Sequence, residues 1–228
     1  MIITIDGPAG SGKSTVAEIL AKELEFIHFN SGSLYRGVTA HFLSKNFDIE
    51  SITSYSPIPD FKLKTEMING IQHVIVNDYD YTPILRDNLI STLVPFVAAN
   101  KFCREKIDEC QKVFCSTHNV VMEGRDLGSF VFPNAEFKFY LDCSVKERAR
   151  RRFNEEMAKK SKVTLKEIEN QLKERDKTDK SRKVAPLVVP KNAILVDSTN
   201  LNIDEVVALM LRNIKSQASK TTQSYSTN

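Results

Sequence analysis

The sequence predicts an α/β fold: a five-stranded parallel sheet flanked by helices, with a small antiparallel β insertion. Three observations carry that expectation. Short apolar segments alternate with helical patterning along most of the chain. A glycine-rich loop joins the first apolar segment to the first helix. One stretch, 51–85, breaks the alternation with the signature of a hairpin.

Taken in order, Ile2-Ile3-Thr4-Ile5 is a β-branched run suited to a buried strand. Val16, Ile19, Leu20 and Leu24 recur at helical spacing, so a helix is expected from Ser14 to Leu24. Phe26 to Phe29 reads as a second strand, with Ser31 capping a helix to Leu43. Met67-Ile68, Asn69-Gly70 and Ile71 to Val76 form a hairpin pattern, and Asn77-Asp78-Tyr79-Asp80 is a second turn cluster. Helical patterning resumes over Asn88 to Cys115, with Pro95 expected to kink or split it. Val120-Val121-Met122, Phe137 to Leu141 and Ala193 to Val196 complete the five strands. Ser144-x-x-Glu147 and Thr164-x-x-Glu167 fit capping boxes, and Ile203 to Ile214 is an amphipathic closing helix. The core is therefore expected over 1–50 and 86–215, with a disordered polar tail over 216–228.

Composition narrows the function. Over 228 residues, 32 Lys plus Arg against 29 Asp plus Glu give a net charge of +3, which argues against a nucleic-acid coat protein. No apolar run is long enough for a membrane span, and the N-terminus lacks the pattern of a secretion signal, so a cytoplasmic location is expected. The four cysteines and four histidines show no metal-ligand spacing and are read as structural or surface residues.

The strongest motif is Gly7-Pro8-Ala9-Gly10-Ser11-Gly12-Lys13-Ser14, followed by Thr15, which satisfies G-x-x-x-x-G-K-[ST] between a strand and a helix. Its glycines let backbone N–H groups converge on phosphate oxygens, and the helix N-terminus adds its dipole. Lys13 is expected at the β- and γ-phosphates and the Ser14 hydroxyl on Mg²⁺, which makes this a nucleoside-triphosphate site of the P-loop type.

Arginines point to a second anion. Arg36 and Arg125 follow expected strands, where an open parallel sheet has its ligand crevice. Arg148 and Arg152 are spaced i, i+4, while Arg175, Asp179 and Arg182 share one face if their segment is helical. Guanidinium groups match phosphate oxygens and stay charged. No Ser–His–Asp set accompanies them. An acceptor that is itself a phosphate needs no general base, because its second pKa is about 6.

IDGPAGSGK (Ile5 to Lys13), SGSLYR (Ser31 to Arg36), EGRDLGSFVFP (Glu123 to Pro133), FYLDCS (Phe139 to Ser144) and KERDKTDKSRKVAPL (Lys173 to Leu187) together resemble the bacterial cytidylate kinases, a branch of the nucleoside monophosphate kinases. The resemblance implies a monomer that transfers the γ-phosphate of ATP to CMP or dCMP with Mg²⁺, without a nucleic-acid or membrane partner. It implies that 51–85 is a monophosphate-binding insertion and about 148–182 a helical lid, including the basic turn at 158–162. By the same resemblance, Ser31, Arg36, Arg104 and Asp126 would bind the monophosphate, with Arg104 and Asp126 reading cytosine. Arg125 and Arg182 would hold phosphates, Arg175 and Asp179 would meet the sugar or the migrating group, and Arg148 and Arg152 would close over ATP. Lys13, Arg125, Arg175 and Arg182 are the expected catalytic set. Three positions depart from the family pattern: Asn30 stands where an acid is frequent, Pro95 where a sugar-contacting Ser is frequent, and Thr178 and Lys180 where arginines are common. The alternatives are a P-loop ATPase driving a protein or nucleic-acid partner, and a kinase for another monophosphate.

Overall fold

The computed structural model describes residues 1–158 and 162–225, with side chains through 216. Strand β1 (Ile2–Asp6) leads through the glycine-rich loop into α1 (Lys13–Leu24), β2 (Ile27–Asn30) and α2 (Ser31–Ser44). Next come β3 (Leu63–Ile68), β4 (Ile71–Val76) and β5 (Tyr79–Asp80), then α3 (Asn88–Ala99) and α4 (Lys101–Cys115). Strand β6 (Val120–Gly124) runs into a single π-turn, Leu127–Val131, and on to β7 (Phe137–Asp142). Helices α5 (Val145–Ala158) and α6 (Leu165–Ser181), strand β8 (Ile194–Asp197) and α7 (Ile203–Tyr225) follow.

The main sheet has the order β2-β6-β1-β7-β8, and all of its pairings are parallel. Because side chains alternate along a strand, β6 serves both faces of the sheet. Val121 packs with Ile3, Ile5, Phe139, Leu20 and Met210 on the side of α1 and α7. Val120 and Met122 pack with Phe29, Leu34, Val38 and Ile107 on the other side. The small sheet, β3-β4-β5, is antiparallel and separate, as expected, but Val74 and Val76 extend the same apolar cluster as Leu34 and Val38. Its hairpin turns at Asn69 and Gly70, both with positive φ (53° and 77°) as a tight two-residue turn requires. Asn77 and Asp78 make a second such turn, leaving Tyr79–Asp80 as a third strand where the sequence suggested only a turn.

Several boundaries differ from expectation for identifiable reasons. Asn30, not Ser31, caps α2, because its extended backbone lets the side chain accept from the Ser33 N–H at 3.1 Å. The long helical stretch splits at Asn100 rather than at Pro95, which lies inside α3. The Asn100 side chain caps α4 through the Cys103 N–H and donates to the carbonyls of Thr53 and Ser56, pinning the chain in an extended conformation there. Helix α7 runs past 216 to Tyr225, where the sequence suggested a disordered tail; the segment is polar but contains no Gly or Pro to break it. Residues 226–228 of that tail, and 159–161 of the basic turn, lie outside the described residues. No helix among the described residues is long and apolar enough to cross a membrane.

Helix α2 approaches β4 so closely that a Cβ on Gly37 would lie 2.3 Å from Cγ1 of the buried Val74. Gly37→Ala gains about 1 kcal/mol of helix propensity but overpacks a filled core, at about 1–3 kcal/mol. The expected net result is a destabilised protein with a lower urea midpoint; a raised midpoint would contradict this packing.

Candidate active site

The carboxyl ends of β2 and β6, with the segments that follow β1 and β8, open onto a cavity of about 1010 Å³. One wall is the glycine-rich loop. It leaves β1 at Gly7, where a side chain is excluded because a Cβ would lie 2.2 Å from the Leu141 carbonyl oxygen. Gly7 and Pro8 form the base of the loop, and Ala9 to Thr15 line the cavity. The Lys13 ammonium donates to the Pro8 carbonyl at 2.6 Å and lies 3.4 Å from Ser11 Oγ. Burial, and next the charge of Arg125, push its pKa well below the ordinary lysine value.

The facing wall is cationic. Arg36, Arg125, Arg175 and Arg182 all line the cavity, together with Ser31, Asp126 and Asp179. Asp179 is the shared counter-charge: Arg125 Nε donates to it at 3.1 Å, and Arg175 and Arg182 pair with it at 3.5 and 3.9 Å. Burial opposes its ionisation, but these three guanidinium groups outweigh that and hold it below the usual carboxylate range. One carboxylate does not satisfy three forks: Arg175 Nε and Arg182 Nη2 are buried without a hydrogen-bond partner. Arg36 and Arg175 are pushed below the ordinary arginine value, first by burial and also by the Arg125 charge. The crowding of positive charge makes this wall an anion receptor.

Asp126 is buried and paired with Arg104. Burial raises the Asp126 carboxyl, against the pull of Arg104, Arg182 and Arg125. Arg104 does not line the cavity; it is 1% exposed, donates to the Ala98 carbonyl and lies 5.5 Å from the Tyr35 ring centroid. Tyr35, Val94 and Ala98 add an apolar patch to the cavity beside Asp126.

Arg152 lines the cavity, whereas Arg148 does not. Arg148 is 3% exposed and donates to the Ala9 and Cys143 carbonyls, both at 2.9 Å, and to Asp176 at 2.6 and 3.2 Å. The expected contact of Arg148 with ATP is therefore replaced by a brace under the phosphate loop. At the first turn of α5 this helix face meets the back of the loop, where buried carbonyls need donors.

Sequence reasoning left several lining residues out. Glu123, at the end of β6, accepts from Ser14 Oγ at 2.6 Å and Asn30 Nδ2 at 2.8 Å, with His28 Nε2 at 3.3 Å. Burial raises its pKa, but His28, Ser14 and Lys13 outweigh that and leave it lowered, so an anion faces the loop. Asn30 thus sits beside an acid rather than replacing the only one. Beyond β8, Ser198 to Ile203 lines the far end, where Arg151 Nη2 donates to the Ser198 carbonyl at 2.6 Å. The available signal for these residues was position alone, since all lie at or just beyond a strand's carboxyl end.

A family model described as cytidylate kinase matches residues 3–216. A cytidylate kinase of Carboxydothermus hydrogenoformans is 42% identical over 216 residues, covering 94% of this chain and 97% of its own. One of Listeria innocua is 41% identical, covering 92% and 93%. Among solved structures, an uncharacterized protein from Eubacterium ventriosum shares the fold with a TM-score of 0.52 at 14% identity, covering 95% of this chain and 99% of that one. Two facing walls around one cavity, and a match that runs almost end to end, lead to one conclusion: the chain belongs to the cytidylate kinase family.

Proposed function

We propose that the protein transfers the γ-phosphate of ATP to CMP or dCMP, giving ADP and the cytidine diphosphate. The observation that carries this reading is a single cavity with the phosphate loop on one wall and an undercompensated guanidinium cluster on the other. This arrangement suits two phosphates brought end to end.

In this reading the triphosphate lies along Ala9 to Thr15, with Lys13 at the β- and γ-phosphates and Arg152 reaching in from α5. The monophosphate sits against Arg36, Arg125 and Arg182. Its oxygen attacks the γ-phosphorus as the bridge to the β-phosphate breaks, and ADP leaves. The acceptor is already anionic at neutral pH, its second pKa being about 6, so no base is required. Lys13, Arg125, Arg175 and Arg182 neutralise the equatorial oxygens where charge gathers. Asp179 keeps three of these guanidinium groups pre-oriented, which removes reorganisation from the reaction step.

Mg²⁺ fits the residues present. It is normally held by one or two protein oxygens with waters and substrate phosphates rather than by a protein cage. The Ser14 hydroxyl and the Glu123 carboxylate provide such a pair beside Lys13, and the described residues contain no larger acidic cluster. When bound, the ion supplies charge neutralisation at the phosphates.

Cytosine selection falls to Asp126, whose carboxylate accepts from the exocyclic amine that uracil lacks, with Ser31 on the cavity wall and Arg104 holding the carboxylate from behind. Helix α5, anchored by Arg148 under the phosphate loop and presenting Arg152 to the cavity, and the start of α6 serve as the lid over ATP, which excludes water and limits wasteful hydrolysis.

Coupled ADP release measured with CMP, dCMP, UMP and AMP should show transfer to the cytidine acceptors and little turnover without an acceptor. Equal rates with AMP, or steady ATP hydrolysis alone, would contradict the reading. Asp126→Ala should raise the KM for CMP about 10–100-fold, the range for losing a hydrogen bond to a charged group, and leave the KM for ATP nearly unchanged. An equal loss for both nucleotides would remove Asp126 from base recognition.

A further inference from the structure

One buried acid has no part in the chemistry above. Asp6 ends the central strand, flanked by Gly124 of β6 and Tyr140 of β7, and is 0% exposed. Its two carboxylate oxygens accept from the N–H groups of Leu127 at 2.9 Å and Gly128 at 2.7 Å. Those are the first two residues of the π-turn Leu127–Val131, which has no capping bond from its own preceding side chain, Asp126. The opening N–H groups of a helical turn have no partner inside it and need an acceptor. Asp6 supplies that acceptor from 121 and 122 residues away in sequence. Arg125 and Asp126 immediately precede the bonded pair, and the phosphate loop begins at Gly7, the residue after Asp6.

We propose that Asp6 is a positioning residue: by capping the Leu127–Val131 turn from the end of β1, it fixes Arg125 and Asp126 on the acceptor wall relative to the phosphate loop. The proposal rests on the phosphotransfer reading of the cavity and adds what sets the spacing of its two walls. A neutral amide of the same shape serves this purpose poorly, since it offers one acceptor oxygen and turns an NH₂ toward the other N–H.

The electrostatics agree. Burial raises the Asp6 carboxyl from its ordinary 3.8 to about 7, with the two N–H bonds and Lys13 pulling it back and Asp126 pushing it further. Its register partner on β7 is Tyr140, whose phenol is itself raised mainly by burial. A carboxyl whose pKa is raised by folding stabilises most when protonated, and that contribution is lost as pH rises through about 7. At neutral pH the ionised group therefore weakens the fold, and its use lies in what it holds.

Steady-state kinetics of Asp6→Asn test the proposal. The expected result is a KM for CMP raised at least tenfold with the KM for ATP within twofold, because the bond lost runs to the acceptor-side turn. A CMP KM that does not move, or equal rises for both substrates, overturns the tether. A wild-type chain that phosphorylates no cytidine monophosphate overturns the reading of the cavity, and the tether falls with it. Should Asp6→Asn fail to fold, the wild type still decides the matter by NMR. The Leu127 and Gly128 amide protons should lie downfield and be protected from exchange with solvent, as bonded groups are; if both exchange as freely as exposed loop amides, the proposal is wrong.

Discussion

Three guanidinium groups around a single carboxylate, Asp179, set the character of this molecule. Arg125, Arg175 and Arg182 come from different parts of the chain, after β6 and from and just beyond α6, yet they share that one partner. Positive charge held this close in a partly dry site is unfavourable unless an anion completes it. The orphaned Arg175 Nε and Arg182 Nη2 mark where the deficit lies. With Lys13 on the opposite wall pushed the same way by burial and by Arg125, the cavity is poised for several phosphate groups at once.

The parallel sheet makes the arrangement possible by gathering strand ends. Asp6 and Asn30 close their strands, Glu123 stands one residue before the end of the strand between them, and the three are in adjacent register, Asp6 level with Gly124 and Asn30 level with Glu123. Each has a distinct task in holding the site: Asp6 on the π-turn, Asn30 on α2, Glu123 on Ser14. The arginines of α5 divide in a similar way. Arg148 braces the loop from behind, Arg151 ties α5 to the segment beyond β8, and Arg152 faces the cavity.

Much of this was legible in the sequence, for local reasons. The glycine-rich loop is a contiguous motif, and Arg36 and Arg125 follow apolar strands, so position implied the crevice. Arg175 and Asp179 share a helical face, and Arg182 follows just beyond its end. What stayed hidden depends on depth. The i, i+4 spacing of Arg148 and Arg152 shows a common face but not that its first turn lies against the loop's back. Asp6 and Glu123 are single acids at strand ends, and nothing local distinguishes a solvated carboxylate from one bonded across more than 100 residues. Asn100 ends a helix through carbonyls of a distant loop, a tertiary cause that outweighed Pro95.

The central claim is that both walls act on one continuous run of phosphates. A ligand made of adenosine and cytidine joined through five phosphates would span them. Titration calorimetry with this compound, followed by competition against ATP and against CMP separately, tests the claim most directly. One molecule bound per chain, displacing both nucleotides, is the predicted result; two molecules per chain, or displacement of only one nucleotide, would contradict it.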